Sequence, residues 1–171
     1  MYPDFNMHNS FYGFDEYSYR GFNNQANTYS DELITLNQAI ELIRQSVGNE
    51  REDEMFYDNL IKQAPTEEEK EIIRSIRDDE KKHNKILRDL YYNFTGQMIP
   101  ANMVASPEAN FNKNYKENLE KALFGELDAV KKYRRIMGAM PSGNSYILLM
   151  AIMTDELRHA SKYNYLIHKA G

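Results

Sequence analysis

Apolar side chains recur at alternating spacings of three and four residues in four stretches of the chain, the period of one face of an α-helix. The first stretch spans 33–64, and its inner face holds Leu36, Ile40, Ile43, Val47, Glu50, Glu54, Tyr57, Ile61 and Ala64. The second follows Pro65 and holds Ile73, Ile76, Glu80, His83, Leu87 and Leu90. The third runs up to Pro141 and holds Leu119, Ala122, Glu126, Val130, Tyr133, Met137 and Met140. The fourth holds Leu149, Ile152, Glu156, His159, Tyr163 and Leu166. This pattern predicts an all-α fold of four helices.

The joints between these stretches predict how the helices are connected. Thr66 with Glu69 is typical of a capping box at the start of the second helix, and Ser142 is a candidate N-cap for the fourth. Both prolines leave only short joints, so the helices on either side of each should be antiparallel. Residues 95–110 have no helical period and contain two prolines. They predict one long crossover between two helix pairs.

The two helix pairs are related by an internal repeat. Sliding the chain by 76 residues over 50–90 gives eight identities in forty-one positions, where about two or three are expected from average composition. The matched pairs are Glu50/Glu126, Tyr57/Tyr133, Pro65/Pro141, Ile76/Ile152, Asp79/Asp155, Glu80/Glu156, His83/His159 and Leu90/Leu166. The repeat predicts two pseudo-symmetric helix pairs packed around a twofold axis.

Acids and imidazoles interrupt the apolar stripes at equivalent points of both repeats. Each repeat supplies one Glu from its first helix and a Glu-x-x-His pair, whose members share one helical face, from its second. The predicted ligands are Glu50, Glu80, His83, Glu126, Glu156 and His159. Four buried carboxylates need compensating positive charge, which two divalent metal ions supply. Mixed oxygen and imidazole ligands favour iron, with manganese or zinc as alternatives.

The same residues resemble a known protein family. Glu-x-x-His on two helices with Glu on the other two is similar to the ferritin-like di-iron carboxylate proteins. DELRH at 155–159 resembles the DExRH motif of that family, DEKKH at 79–83 is a looser copy, and the FGE at 124–126 resembles rubrerythrins. The resemblance covers 33–168 and implies a ferritin-like four-helix bundle with a dinuclear metal site.

Two features depart from rubrerythrin. The chain contains no cysteine, so it carries no rubredoxin-type relay of four cysteines. Rubrerythrins have a second acid three residues after the glutamate of the third helix, where this chain has Ala129. Asp53 and Glu54 on the first helix could supply a seventh carboxylate or remain solvated. Peroxide chemistry that relies on the extra acid is therefore in question.

Four further residues are candidates to support the ligands. Asp79 and Asp155 are either solvated acids or acceptors for the second ring N–H of a ligand histidine, and their repetition favours the second. Tyr57 and Tyr133 lie two turns beyond Glu50 and Glu126, so we expect core aromatics whose hydroxyls bond a ligand carboxylate. A redox role for the tyrosines is the alternative.

The first thirty residues form a separate segment, which we call the arm. It holds nine of the twenty-one aromatic residues and no Leu, Ile or Val, so we divide the chain into an arm (1–30) and a bundle (31–171). We expect the arm to lie on the bundle or to cross to a second copy in a homodimer. The net charge is −5 with no basic stripe, and the longest apolar run has eight residues. We therefore expect neither nucleic acid nor a membrane as partner.

Three functions remain open from the sequence. The first is an oxidoreductase with a di-iron or di-manganese site that reduces O₂ or peroxide, or oxidises Fe(II), using an electron donor that the sequence does not identify. The second is metal storage or handling without turnover. The third is a structural role, such as a spore coat, in which the arm drives self-association. The expected location is cytoplasmic, or spore-associated in the third case, since no signal peptide is evident.

Overall fold

The computed structural model describes residues 33–47, 50–100 and 113–171, apart from the side chains of 50–54. Within these ranges the secondary structure is helical, with no strand. The helices are α1 (Leu36–Val47), α2 (Glu50–Gln63), α3 (Glu67–Thr95), α4 (Tyr115–Ala139) and α5 (Asn144–Lys169). The predicted all-α fold is confirmed. No helix in the described ranges has the length and apolarity to cross a bilayer. The arm lies outside the described residues.

The first predicted helix differs most from expectation. The periodic stretch 33–64 contains two helices, α1 and α2, with residues 48–49 outside the described ranges. The sequence places Gly48 and Asn49 between the two helices, and both residue types are weak helix formers.

Local hydrogen bonds define most of the helix ends. At the start of α3 the Glu69 backbone N–H donates to Oγ1 of Thr66 (3.3 Å), and that hydroxyl donates to the Glu69 carboxylate (3.0 Å). Gly96 ends α3 in the left-handed conformation (φ 69°), which glycine adopts without steric cost. The N-cap of α5 is Gly143 (φ 123°) and makes no side-chain cap bond, so the expectation that Ser142 caps this helix is wrong.

Two clusters of buried apolar residues show the direction of each helix. Cluster one joins α1 over its whole length, the ends of α3 and α4 and the start of α5; its buried members are Ala39, Ile43, Val47, Leu87, Leu90, Ile99, Tyr133, Ile136, Met140, Leu149 and Ile152. Cluster two joins the opposite helix ends, through Tyr57, Leu60, Ala64, Ile73, Ile76, Leu119, Tyr163 and Leu166. Helices α3 and α4 are therefore parallel, and the connection 96–114 joins opposite ends of the bundle. This is the predicted single crossover between antiparallel pairs.

Candidate metal centre

The polar residues predicted to interrupt the stripes lie between the two apolar clusters. Glu80 and His83 come from α3, Glu126 from α4, and Glu156 and His159 from α5. His159 is fully buried, and Glu156, His83 and Glu126 are 1%, 3% and 7% exposed. A group this polar needs strong mutual contacts to remain in a helical core.

Four of these residues already form a ligand group. Glu80, Glu126, Glu156 and His159 each present one donor atom, and these atoms all lie within 4.8 Å of one another. His83 adjoins the group, because its Nδ1 lies 3.4 Å from Oε1 of Glu80 and 3.3 Å from Oε1 of Glu156. The structure thus brings together five of the six predicted ligands. The side chain of Glu50, the sixth, lies outside the described residues.

Two carboxylates lie between the two imidazoles. Oε1 of Glu80 is 3.1 Å from Nδ1 of His159 and 3.4 Å from Nδ1 of His83. Glu156 places Oε1 3.3 Å from the His83 nitrogen and Oε2 3.7 Å from the His159 nitrogen. Glu126, by contrast, lies beside the His159 imidazole, with Oε2 3.6 Å from Nδ1 of that ring.

The far nitrogens of the imidazoles contact aspartates from the opposite repeat. Nε2 of His83 lies 3.1 Å from Oδ2 of Asp155, and Nε2 of His159 lies 3.4 Å from Oδ2 of Asp79. A proton held on Nε2 by an aspartate leaves the Nδ1 lone pair directed at the carboxylates. Asp79 and Asp155 thus occupy the outer position predicted for them, although each serves the histidine of the other repeat.

Three buried atoms at the centre make no well-aligned hydrogen bond among the described residues. They are Oε1 of Glu80 and the Nδ1 atoms of His83 and His159, which contact one another at 3.1–3.4 Å without that alignment. Buried polar atoms are nearly always satisfied in proteins, and a bound ion is one established explanation for an exception. One carboxylate oxygen and two imidazole nitrogens that converge on one point fit a bound metal.

The protonation equilibria of the side chains show the same need for positive charge. Burial favours neutral imidazoles, yet the carboxylates around them outweigh it and raise the pKa of His83 to about 10 and that of His159 to about 11. Burial, aided by Glu156 and Glu80, raises the pKa of Glu126 to about 9 against the effect of His159. Protons therefore neutralise the cluster when no metal does so, and metal ions would compete with them.

The predicted tyrosines lie in opposite clusters, Tyr57 in cluster two and Tyr133 in cluster one. Burial, followed by Tyr163, Glu80 and Glu126, raises the pKa of Tyr57 well above its usual value, which places the phenol near the acids. The support role predicted for both tyrosines stays a prediction.

Two residues near the centre were not singled out from the sequence. Tyr163 is fully buried, and its hydroxyl makes no well-aligned hydrogen bond in the described part of the chain, although the phenol of Tyr57 adjoins it. Arg158 contacts both aspartates, with Nη2 2.7 Å from Asp79 and 3.0 Å from Asp155. The arginine of the DELRH motif was the available signal for Arg158, and the inner face of the fourth stretch was the signal for Tyr163. Ala129, at the place of the missing rubrerythrin acid, packs against cluster one.

Comparison with known families gives one match. Residues 41–115 match the family model described as rubrerythrin. This span ends at the first residue of α4, so it includes Glu80 and His83 of the first repeat and stops before the second. The resemblance to a ferritin-like, rubrerythrin-type family is therefore confirmed over that span. A search of curated proteins found no match.

Proposed function

We propose, for a chain of rubrerythrin type over residues 41–115, that the centre binds two metal ions and acts as a redox site for O₂, peroxide or Fe(II). Iron is the favoured metal because carboxylate and imidazole ligands together suit it, with manganese and zinc as alternatives. The proposed ligands are Glu50, Glu80, His83, Glu126, Glu156 and His159.

The observation that carries the proposal is the set of three buried atoms that converge without a well-aligned hydrogen bond, Oε1 of Glu80 and Nδ1 of His83 and His159. A purely structural polar cluster would be expected to pair these atoms with one another in well-aligned hydrogen bonds. Their convergence is instead what a site for a cation requires.

The positions of the side chains suggest a division of roles. Glu80 and Glu156 each lie within 3.7 Å of both imidazole Nδ1 atoms, so they are suited to bridge two ions. His83, His159 and Glu126 would then each bind to only one of the two ions. By the symmetry of the repeat, Glu50 with Glu126 is the alternative bridging pair, but the contacts of Glu80 and Glu156 with both imidazoles favour Glu80 with Glu156.

The chain contributes more than ligands to such a reaction. Bound iron would supply electrons by changing between its ferrous and ferric states. Apolar clusters on both sides of the ligands limit access of bulk water. Asp79 and Asp155 hold the imidazoles in orientation. Burial raises the pKa of Glu126 to about 9, so in the metal-free centre it is the carboxylate best able to hold a proton.

The experiment loads the full-length chain anaerobically with Fe(II) and then adds hydrogen peroxide or air while absorbance is recorded. We expect peroxide or O₂ consumption in proportion to the bound iron. Glu126→Gln should lower both the iron retained and the oxidant consumed, whereas Glu120→Gln, an exposed position on the same helix, should leave both unchanged.

The competing functions give different results in the same experiment. Many irons retained per chain would favour storage, and bound iron that consumes no oxidant would favour metal handling without turnover. Iron-independent assembly through the arm would favour the structural, spore-coat function. Equal behaviour of Glu126→Gln and Glu120→Gln would contradict the proposed centre.

A further inference from the structure

A single guanidinium connects the outer partners of both histidines. Nη2 of Arg158 lies 2.7 Å from Oδ2 of Asp79 and 3.0 Å from Oδ1 of Asp155. Asp79 contacts His159, and Asp155 contacts His83. The five side chains therefore form one continuous series, from the imidazole of one repeat to that of the other.

The internal repeat makes this connection asymmetric. The position equivalent to Arg158 in the first repeat is Lys82, whose ammonium lies 2.9 Å from Oδ1 of Asp79 and whose side chain is 71% exposed. A guanidinium offers five N–H donors in a fixed fork, whereas an ammonium is a hydrated point charge on a flexible stem. The residue that spans the two aspartates is therefore Arg158.

The exposure of Arg158 argues against a role in stability. Its side chain is 53% exposed, and ion pairs at such positions contribute little to folding because water and salt screen them. Arg158 instead acts on the positions of its neighbours, since one of its nitrogen atoms contacts two like-charged carboxylates. Without it these carboxylates would repel each other, and each supports the ring of a proposed ligand.

We propose that Arg158 is a positioning residue that makes the two metal positions bind their ions cooperatively. The inference rests on the proposed dinuclear centre. With His83 engaged in binding one ion, Asp155 and then Arg158 would be held in place. Arg158 would in turn order Asp79, which prepares His159 for the second ion. Changes in residues that orient ligand histidines typically alter metal affinity about 10- to 100-fold.

The test is a titration of the full chain with Co(II), followed by visible absorbance and calorimetry, in wild type, Arg158→Gln, Arg158→Lys and Lys82→Gln. We expect Arg158→Gln to weaken both binding events about 10- to 100-fold and to separate one steep transition into two. Arg158→Lys should keep part of the affinity and lose the cooperativity. Lys82→Gln should stay within a few-fold of wild type.

Two results would overturn the inference in distinguishable ways. If wild type binds two Co(II) ions and Arg158→Gln titrates like Lys82→Gln, Arg158 does not couple the positions, while the proposed centre stands. If wild type fails to bind two ions, the proposed centre falls and the inference with it. The melting temperatures of the metal-free variants should agree within a few degrees, and Arg158→Lys keeps the test decisive should Arg158→Gln fold poorly.

Discussion

Oε1 of Glu80 lies 3.1 Å from Nδ1 of His159, although the two residues belong to opposite halves of the internal repeat. The same oxygen lies 3.4 Å from Nδ1 of His83, in its own half. The proposed centre therefore exists only while α3 and α5 are packed together. Metal binding and folding should be coupled, because the unfolded chain offers no preformed site.

Removing metal should lower the melting temperature. When the free ion concentration is about a hundred times the dissociation constant, binding adds about 2.7 kcal/mol to the free energy of unfolding. For a domain of this size that corresponds to a shift of about 5–10 °C. Calorimetry of metal-loaded and chelator-treated protein measures it, and Glu126→Gln should show a smaller difference. Identical melting curves for loaded and chelated wild type would argue against the dinuclear site.

The metal-free protein should lose stability as the pH rises. The folded-state pKa values of His83 and His159, about 10 and 11, exceed the usual histidine pKa of 6.5. Their stabilising contribution is therefore complete below about pH 6.5 and is lost as the pH rises through the folded-state values. The raised pKa of Glu126, about 9 against 4.5, acts in the same direction between those values. Urea unfolding of the metal-free chain should show falling stability from pH 6 to pH 9. A rise over that range would contradict the charge balance described for the centre.

Metal-loaded protein should respond to pH in the opposite direction. Ligands bind metal only when deprotonated, so acidification below about pH 5 should release the ions. Metal retained after desalting, measured across pH, tests this release. Full retention at pH 4 would show that the bound ions do not depend on these carboxylates and imidazoles.

Tyr163→Phe and Tyr115→Phe should have different effects on stability. The hydroxyl of Tyr163 is buried and makes no well-aligned hydrogen bond, although the phenol of Tyr57 adjoins it, so its removal should change stability by no more than about 1 kcal/mol. The hydroxyl of Tyr115 donates to the buried Glu69 carboxylate (3.0 Å), so its removal should cost about 1.5–3 kcal/mol. Urea unfolding of both variants decides the point, and a larger cost for Tyr163→Phe would indicate a partner for its hydroxyl.

Leu149→Ala should destabilise the bundle by about 2–5 kcal/mol, because the side chain is fully buried in cluster one and its truncation leaves a cavity. The matched control is Ile147→Ala, two residues away and 62% exposed, which should stay within about 0.5 kcal/mol. Equal losses for the two variants, measured by chemical unfolding, would mean that the outer face of α5 is covered in the native protein.

The number of main helical stretches and the joints between them can be predicted from local sequence signals. The three–four spacing, Pro65, Pro141 and the Thr66–Glu69 pair predict the helices and their joints because these signals are local. The apolar period extends across the whole of 33–64 and predicts one helix there, whereas the described residues form α1 and α2. The start of α5 was misplaced by one residue because Gly143, rather than Ser142, occupies the cap position.

The sequence predicts the side chains of the centre about as fully as it predicts the helices. Glu-x-x-His spacing places Glu80 with His83 on one helical face, and the repeat adds the second pair. Which aspartate faces which imidazole could not be predicted, since it depends on how α3 and α5 pack side by side. The contact of Arg158 with both aspartates has the same origin, whereas the inner face of the fourth stretch already predicts the burial of Tyr163.

The most direct test of the two-metal centre is the number of ions that the chain retains. Wild-type protein, loaded anaerobically with Fe(II) and desalted, should hold about two irons per chain by elemental analysis. Glu80→Gln, which alters the carboxylate between both imidazoles, should hold fewer than one, and Glu71→Gln, at an exposed position of the same helix, should match wild type. Negligible iron in wild type, or equal iron in Glu80→Gln and Glu71→Gln, would contradict the account.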